Sequence, residues 1–146
     1  MTRQVIILYV LYKYNCSFIG NPRNDRINYI KALNVPVIQN AYGKEHSVAV
    51  SQTKINLNFT EGGTSDRTYK VLASKGFLLT EPWDGMENDF SVGQDFDIFT
   101  NVNEFKNKIN YYLQHEDERL RIAEYGYNTV QKFDRINWAK EIISML

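Results

Sequence analysis

Two short stretches of this sequence hold residue types that could do chemistry, and in both the chemistry is anion binding. In the first, Ile55–Thr60 alternates apolar and polar residues as a strand does. It runs into Glu61-Gly62-Gly63-Thr64-Ser65 and then a helical pattern from Asp66 to about Lys75. A glycine turn ahead of a helix start, with Ser65 as N-cap, offers free backbone N–H groups and the positive end of the helix dipole. Arg67 and Lys70, three apart, share a helix face there and suit a phosphate or diphosphate. The competing reading is a solvated ion pair between Asp66 and Lys70, four apart. The second stretch is Gly20-Asn21-Pro22-Arg23-Asn24-Asp25-Arg26, where glycine admits a ligand to the backbone and Arg23 or Arg26 could meet an anion. Its alternative is a turn carrying two surface arginines.

Other chemistry is poorly supplied. Cys16 is the only cysteine, which excludes an intrachain disulfide framework and a multi-cysteine metal cluster. The two histidines, His46 and His115, are far apart in sequence. His46 reads as a solvated residue at a helix start, and His115 as the break between two helices. Asp84, Glu87, Asp89, Asp95 and Asp97 give residues 83–99 an acidic cast with no metal-ligand spacing, so a solvated loop is expected, pinned to the core by Trp83 and Phe90. Walker, nucleophile-elbow and dinucleotide glycine motifs are absent.

The elements that must position these residues follow from periodicity. Strands are expected at Val5–Tyr12, Cys16–Ile19, Val35–Gln39, Ile55–Thr60, Phe77–Thr80 and Phe96–Phe99. Pro36 confines its strand to an edge or a strand start, and the wholly apolar Phe77–Thr80 suits a sheet interior. Helices are expected around Ile27–Leu33, Lys44–Lys54 (Val48 and Ala49 on one side) and Asp66–Lys75, stopped by Gly76. The C-terminal tail is helical. Asn101 and Glu104 form a capping box before an apolar stripe of Phe105, Ile109, Tyr112 and Leu113. A next helix places Leu120, Ala123, Tyr127 and Val130 inward, and a last one carries Trp138, Ile142 and Met145. Strands alternating with helices predict an α/β domain with a Rossmann-like, mainly parallel sheet flanked by helices. In such sheets ligands bind outside the carboxyl ends of the strands, where both anion-ready stretches fall.

The chain has 146 residues, enough for one domain with a substantial core, and 17 Lys+Arg against 17 Asp+Glu. Zero net charge argues against a bulk nucleic-acid or anionic-membrane binder, while leaving room for a local basic pocket. The longest apolar run, Val5–Tyr12, is far shorter than a membrane span needs, and Lys13-Tyr14 stands where a signal cleavage site would lie; the expected compartment is the cytoplasm. Asn15 and Asn58 each match the N-glycosylation pattern, Asn58 inside a strand pattern where the match is accidental.

The stretch 54–60 and then 65–80 (SDRTYKVLASKGFLLT) resembles the C-terminal domain of CgeB-type spore-maturation proteins, which belong with group 1 glycosyltransferase-like domains. Ser17-Phe18-Ile19-Gly20-Asn21 with Arg26 is similar to that family's opening strand and loop. Residues 103–113 are similar to a later helix, and 118–126 (ERLRIAEYG) to its ER-x-x-IA-x-x-G signature. The likeness spans about residues 16–134, leaving 1–15 as an extra N-terminal strand. The resemblance implies the C-terminal half of a GT-B enzyme, binding a nucleotide-sugar donor without a bound metal or other cofactor. Gly63, Ser65 and Arg67 would line the donor site, and Gly20, Asn21 and Arg26 would face it. It implies an acceptor half from a partner or another domain, and gives no catalytic base. Lys70 departs from the family's glutamate, which accepts donor ribose hydroxyls; an ammonium only donates, so Lys70 would meet phosphate, or the donor site is degenerate. A non-catalytic ligand-binding or assembly module on the same fold is the alternative. A receiver-like regulatory domain ranks below both, because its acidic pair and placed lysine are missing.

Overall fold

A parallel sheet of five strands, in the order β2-β1-β3-β4-β5, organises the computed structural model, which describes residues 11–61, 63, 66–133 and 143–145. The strands are β1 (Tyr14–Ile19), β2 (Val37–Ile38), β3 (Thr53–Asn58), β4 (Leu78–Thr80) and β5 (Asp97–Ile98). Between them run α1 (Arg26–Ala32), α2 (Lys44–Ser51) and α3 (Asp66–Ala73), followed by α4 (Val102–Gln114) and α5 (Glu116–Val130). The α/β fold with a mainly parallel sheet is the one the alternating pattern predicts. The chain leaves β1 for β2 on one side, then crosses back to β3 on the other, so the order reverses between β1 and β3. Such a reversal opens a crevice at the carboxyl ends of those two strands.

Each face of the sheet has its own core. Phe18, Ile55, Leu57, Phe59, Leu79 and Phe99 pack against Tyr29 of α1 and Phe105 and Ile109 of α4. On the other face Ile19 and Leu78 pack with Ala49 and Val50 of α2, Val71 and Leu72 of α3, and Trp83, Phe90 and Phe96 of the loop before β5. Trp83 and Phe90 pin that loop as expected, their rings 6.1 Å apart at a steep angle. The alternation in β3 is also real, but its polar half does not face water. Asn56 and Asn58 are buried beneath the helices, donating amide protons to the Phe77 carbonyl and to Thr68 and Thr80. A fully buried Asn58 offers no glycan acceptor.

Several expectations need correction. Residues 1–10 lie outside the described residues, and Leu11 and Tyr12 carry no strand. In α2 the inward pair is Ala49 and Val50, with Val48 exposed. The stop after α3 uses Lys75 in the left-handed conformation (φ 62°); Gly76 instead donates its N–H to the Val71 carbonyl. Leu120 points outward and Arg119 inward, because α5 buries Arg119, Ile122, Ala123, Gly126 and Val130. Arg119 is held there by the Tyr112 carbonyl at the end of α4 (3.1 Å). Gly126 lets α5 cross the Asp95 backbone, where a Cβ would clash with the Asp95 carbonyl. The acidic loop is partly internal. Asp95 is buried and accepts from the Ser91 N–H and the Thr129 hydroxyl, while Asp97 accepts from Lys108 and Tyr112. Asn101 caps α4 as predicted, accepting the Glu104 N–H at 2.9 Å, although the Glu104 carboxylate turns to Thr100. Trp138 and Ile142 lie outside the described residues, and Met145 is exposed.

Candidate functional site

The crevice at the β1/β3 reversal is a cleft of about 480 Å³. Each wall comes from a segment leaving the carboxyl end of a strand. After β1 come Gly20, Asn21, Arg23 and Arg26; after β2, Asn40, Ala41 and Tyr42; then His46 from α2, and Asp66, Arg67 and Lys70 from the start of α3. The two stretches singled out in the sequence thus meet across one opening, brought together by the parallel pairing of β1 with β3. Gly63 is not among the lining residues; its N–H closes a turn onto the Thr60 carbonyl at 3.0 Å. Ser65, Gly62 and Thr64 lie outside the described residues. Asp66 and Lys70 line the cleft together but form no ion pair with each other.

Arg67 stands at the centre and is held by three neighbours. Its Nη1 donates to Asn58 Oδ1 at 3.0 Å, and its guanidinium lies 4.8 Å from the centre of the Phe18 ring. Asn58 is itself fixed by Thr68 and Thr80, so its carbonyl oxygen is presented to Arg67 in one orientation. Gly20 completes the seat: a Cβ there would lie 2.5 Å from Arg67 Nη2 and 2.9 Å from Phe18 Cζ, at a φ of +152° that favours glycine. Arg26, nearly buried, donates to the Phe59 and Asn21 carbonyls at 3.4 Å and lies 5.7 Å from the same Phe18 ring. Its Nε is 3.2 Å from Glu61 Oε1, a charge pairing without hydrogen-bond alignment. Glu61 also accepts from Asn24, tying the β1–α1 loop to the β3–α3 turn.

The electrostatics of the cleft follow from this crowding. Burial, and then the charges of Arg26 and Arg23, lower the Arg67 pKa to about 10. Burial, and then Lys70 and Arg67, lower the His46 pKa below the ordinary histidine value. A chain of zero net charge therefore gathers Arg23, Arg26, Arg67 and Lys70 around one opening, against Asp66 on its lining. Guanidinium groups offer paired donors matched to phosphate oxygens, and an anion there would relieve the mutual repulsion.

His46 is where the sequence reading was furthest off, since it is buried and faces the cleft. Asn58 and Phe18, the supports of Arg67, were also not foreseen. The one signal for Asn58 was its place in the alternating strand pattern Ile55–Thr60, just ahead of the glycine turn; for His46 the local sequence carries none.

The comparisons with known proteins agree with this architecture. No curated protein matches the chain. Among solved structures, the crystal structure of an α1,3-fucosyltransferase superposes with a TM-score of 0.63 at 20% sequence identity, covering 79% of this chain and 38% of that one. At that identity the likeness concerns the fold, and the chain spans well under half of the fucosyltransferase's length. The family model described as "Glycosyl transferase-like" matches residues 3–144, nearly the whole sequence. The chain belongs to the glycosyl transferase-like family.

Proposed function

We propose that this glycosyl transferase-like domain binds the diphosphate of a nucleotide-sugar donor in the cleft between β1 and β3, and contributes the donor half of a sugar-transfer reaction. The observation that carries this reading is the seating of Arg67 between Asn58, Phe18 and Gly20, facing a cleft whose other cations are Lys70 on the same helix and Arg23 and Arg26 from the segment after β1. Three of the residues named from sequence, Gly20, Asn21 and Arg26, line the same cleft as Arg67 and Lys70, Gly20 in contact with Arg67 itself. Basic side chains of this kind can neutralise a leaving diphosphate without a metal. The acceptor half would come from a partner or another domain, and the residue pattern resembles that of CgeB-type proteins.

Calorimetry with UDP-, GDP- and CDP-sugars tests the reading. The expected result is binding by at least one donor, weakened about 10- to 150-fold in Arg67→Ala, the cost of one charge-assisted hydrogen bond. No heat at millimolar donor would overturn donor recognition. Lys70 favours a second reading, a ligand-binding or assembly module that transfers no sugar, because an ammonium cannot accept ribose hydroxyls. Arg67-dependent sugar transfer would eliminate it.

A further inference from the structure

We propose that His46 makes anion binding in this cleft proton-coupled: its imidazole is neutral while the cleft is empty and takes up a proton when an anion enters, becoming one more hydrogen-bond donor to it. The inference rests on the reading of the cleft as an anion site and adds to it a residue and a pH dependence.

Placement is the first argument. His46 sits in the first turn of α2, after the β2 segment, and lines the same cleft as the arginines while being only 8% exposed. Among the described residues, no protein group hydrogen-bonds to its ring, and its nitrogens are not among the fully buried side-chain atoms, so they are open to a partner from the cleft. A ligand in the cleft would supply one.

The charges around it are the second. From α3, Arg67 and Lys70 face the imidazole and oppose its protonation, with Asp66 at the rim. Arg23 and Arg26 line the same cleft. On its own helix Lys44 and Glu45 are exposed, and β3, packed beneath α2, carries only Lys54, at the strand's amino end away from the cleft. The empty site is thus predominantly cationic, and burial acts in the same direction. An anion reverses the balance, because it neutralises Arg67 and Lys70 and offers acceptor oxygens. Binding and protonation then favour each other by the same factor.

The test is an NMR pH titration of the two imidazoles, His46 and His115, from about pH 5 to 8.5, assigned by the signal missing in His46→Gln. It is run on the free protein, with saturating inorganic pyrophosphate, and with UDP. The expected result is a His46 midpoint below the ordinary 6.5 in the free protein that rises by about one pH unit or more with either ligand. A rise of one unit corresponds to about tenfold tighter binding at low pH than at high pH. That factor is read as the difference between wild type and His46→Gln, which cancels the ligand's own titration. A His46 midpoint that is unmoved or falls while pyrophosphate is bound overturns the inference and leaves the anion site standing. No binding of pyrophosphate or UDP at any pH overturns both.

Discussion

Replacing Gly20 by alanine tests whether the seat of Arg67 is what makes the cleft. The new Cβ would lie 2.5 Å from Arg67 Nη2 and 2.9 Å from Phe18 Cζ, whereas ordinary contacts are about 3.5–4.0 Å, so roughly 1 Å must be found. Phe18 is fully buried and packs edge-on against Phe59 at 5.0 Å, so it gives little. The guanidinium, at the end of a long side chain, yields instead and leaves Asn58 Oδ1. Two costs follow. A side chain at φ +152° strains the backbone by about 1–3 kcal/mol, which lowers Tm by about 3–10 °C for a chain of this size. Displacing Arg67 loses a charge-assisted contact to the ligand, about 1.5–3 kcal/mol, or about 10- to 150-fold in affinity. Thermal melts read the first cost and calorimetry with UDP the second. The decisive comparison is the same substitution in an Arg67→Ala background, where the Tm effect should persist and the affinity effect should vanish. If Gly20→Ala weakens UDP binding by the same factor in both backgrounds, within about 0.5 kcal/mol, the proposed seat is wrong.

Three further outcomes are expected. Gly126→Ala should destabilise the fold by about 1–3 kcal/mol in urea unfolding, through overpacking against the Asp95 carbonyl and Leu72, and should leave UDP affinity unchanged. Burial pushes the Cys16 thiol up to about 11, so Ellman's reagent at pH 8 should react at least about 100-fold more slowly with the native protein than in urea. His46 has a folded pKa below its unfolded value of 6.5, so the unfolded chain binds the extra proton first. Stability should therefore be full above about pH 6.5 and fall as the pH drops through the lowered value; the fall should be smaller in His46→Gln and should shrink when pyrophosphate is added.

What the sequence revealed of this molecule was what local pattern can carry. Strands β1 and β3, helix α3 and the Asn101 cap announce themselves through period, turn residues and capping chemistry, and the arginine-bearing junctions fall where a parallel sheet places ligands. Hidden were features decided by tertiary placement. Arg119 and Leu120 are neighbours, and nothing local says that the arginine goes inside; the carbonyl ending α4 decides it. Asn56 and Asn58 have the solvent-facing half of a period-two pattern, yet helices cover both faces of this sheet and the amides become internal. His46 reaches the cleft because α2 packs beside α3, a relation between segments some twenty residues apart. Asp95 and Asp97 are likewise drawn inward by α5 and α4, whose hydroxyls and ammonium complete their hydrogen bonds.

The edge strand β2 has a consequence for how the cleft accommodates what enters it. It is two half-buried residues long and pairs with β1 alone, whereas β3 lies between two strands with buried Val71 and Leu72 of α3 above it. The opening therefore has one fixed jaw, bearing Arg67, and one yielding jaw, bearing Asn40 and Tyr42. Amide exchange should be fast along residues 37–42 and slow along 55–58, because local opening is cheapest where few buried contacts resist it. Charge recognition is anchored in the jaw that does not move, and ligands of different bulk are accommodated by the one that does.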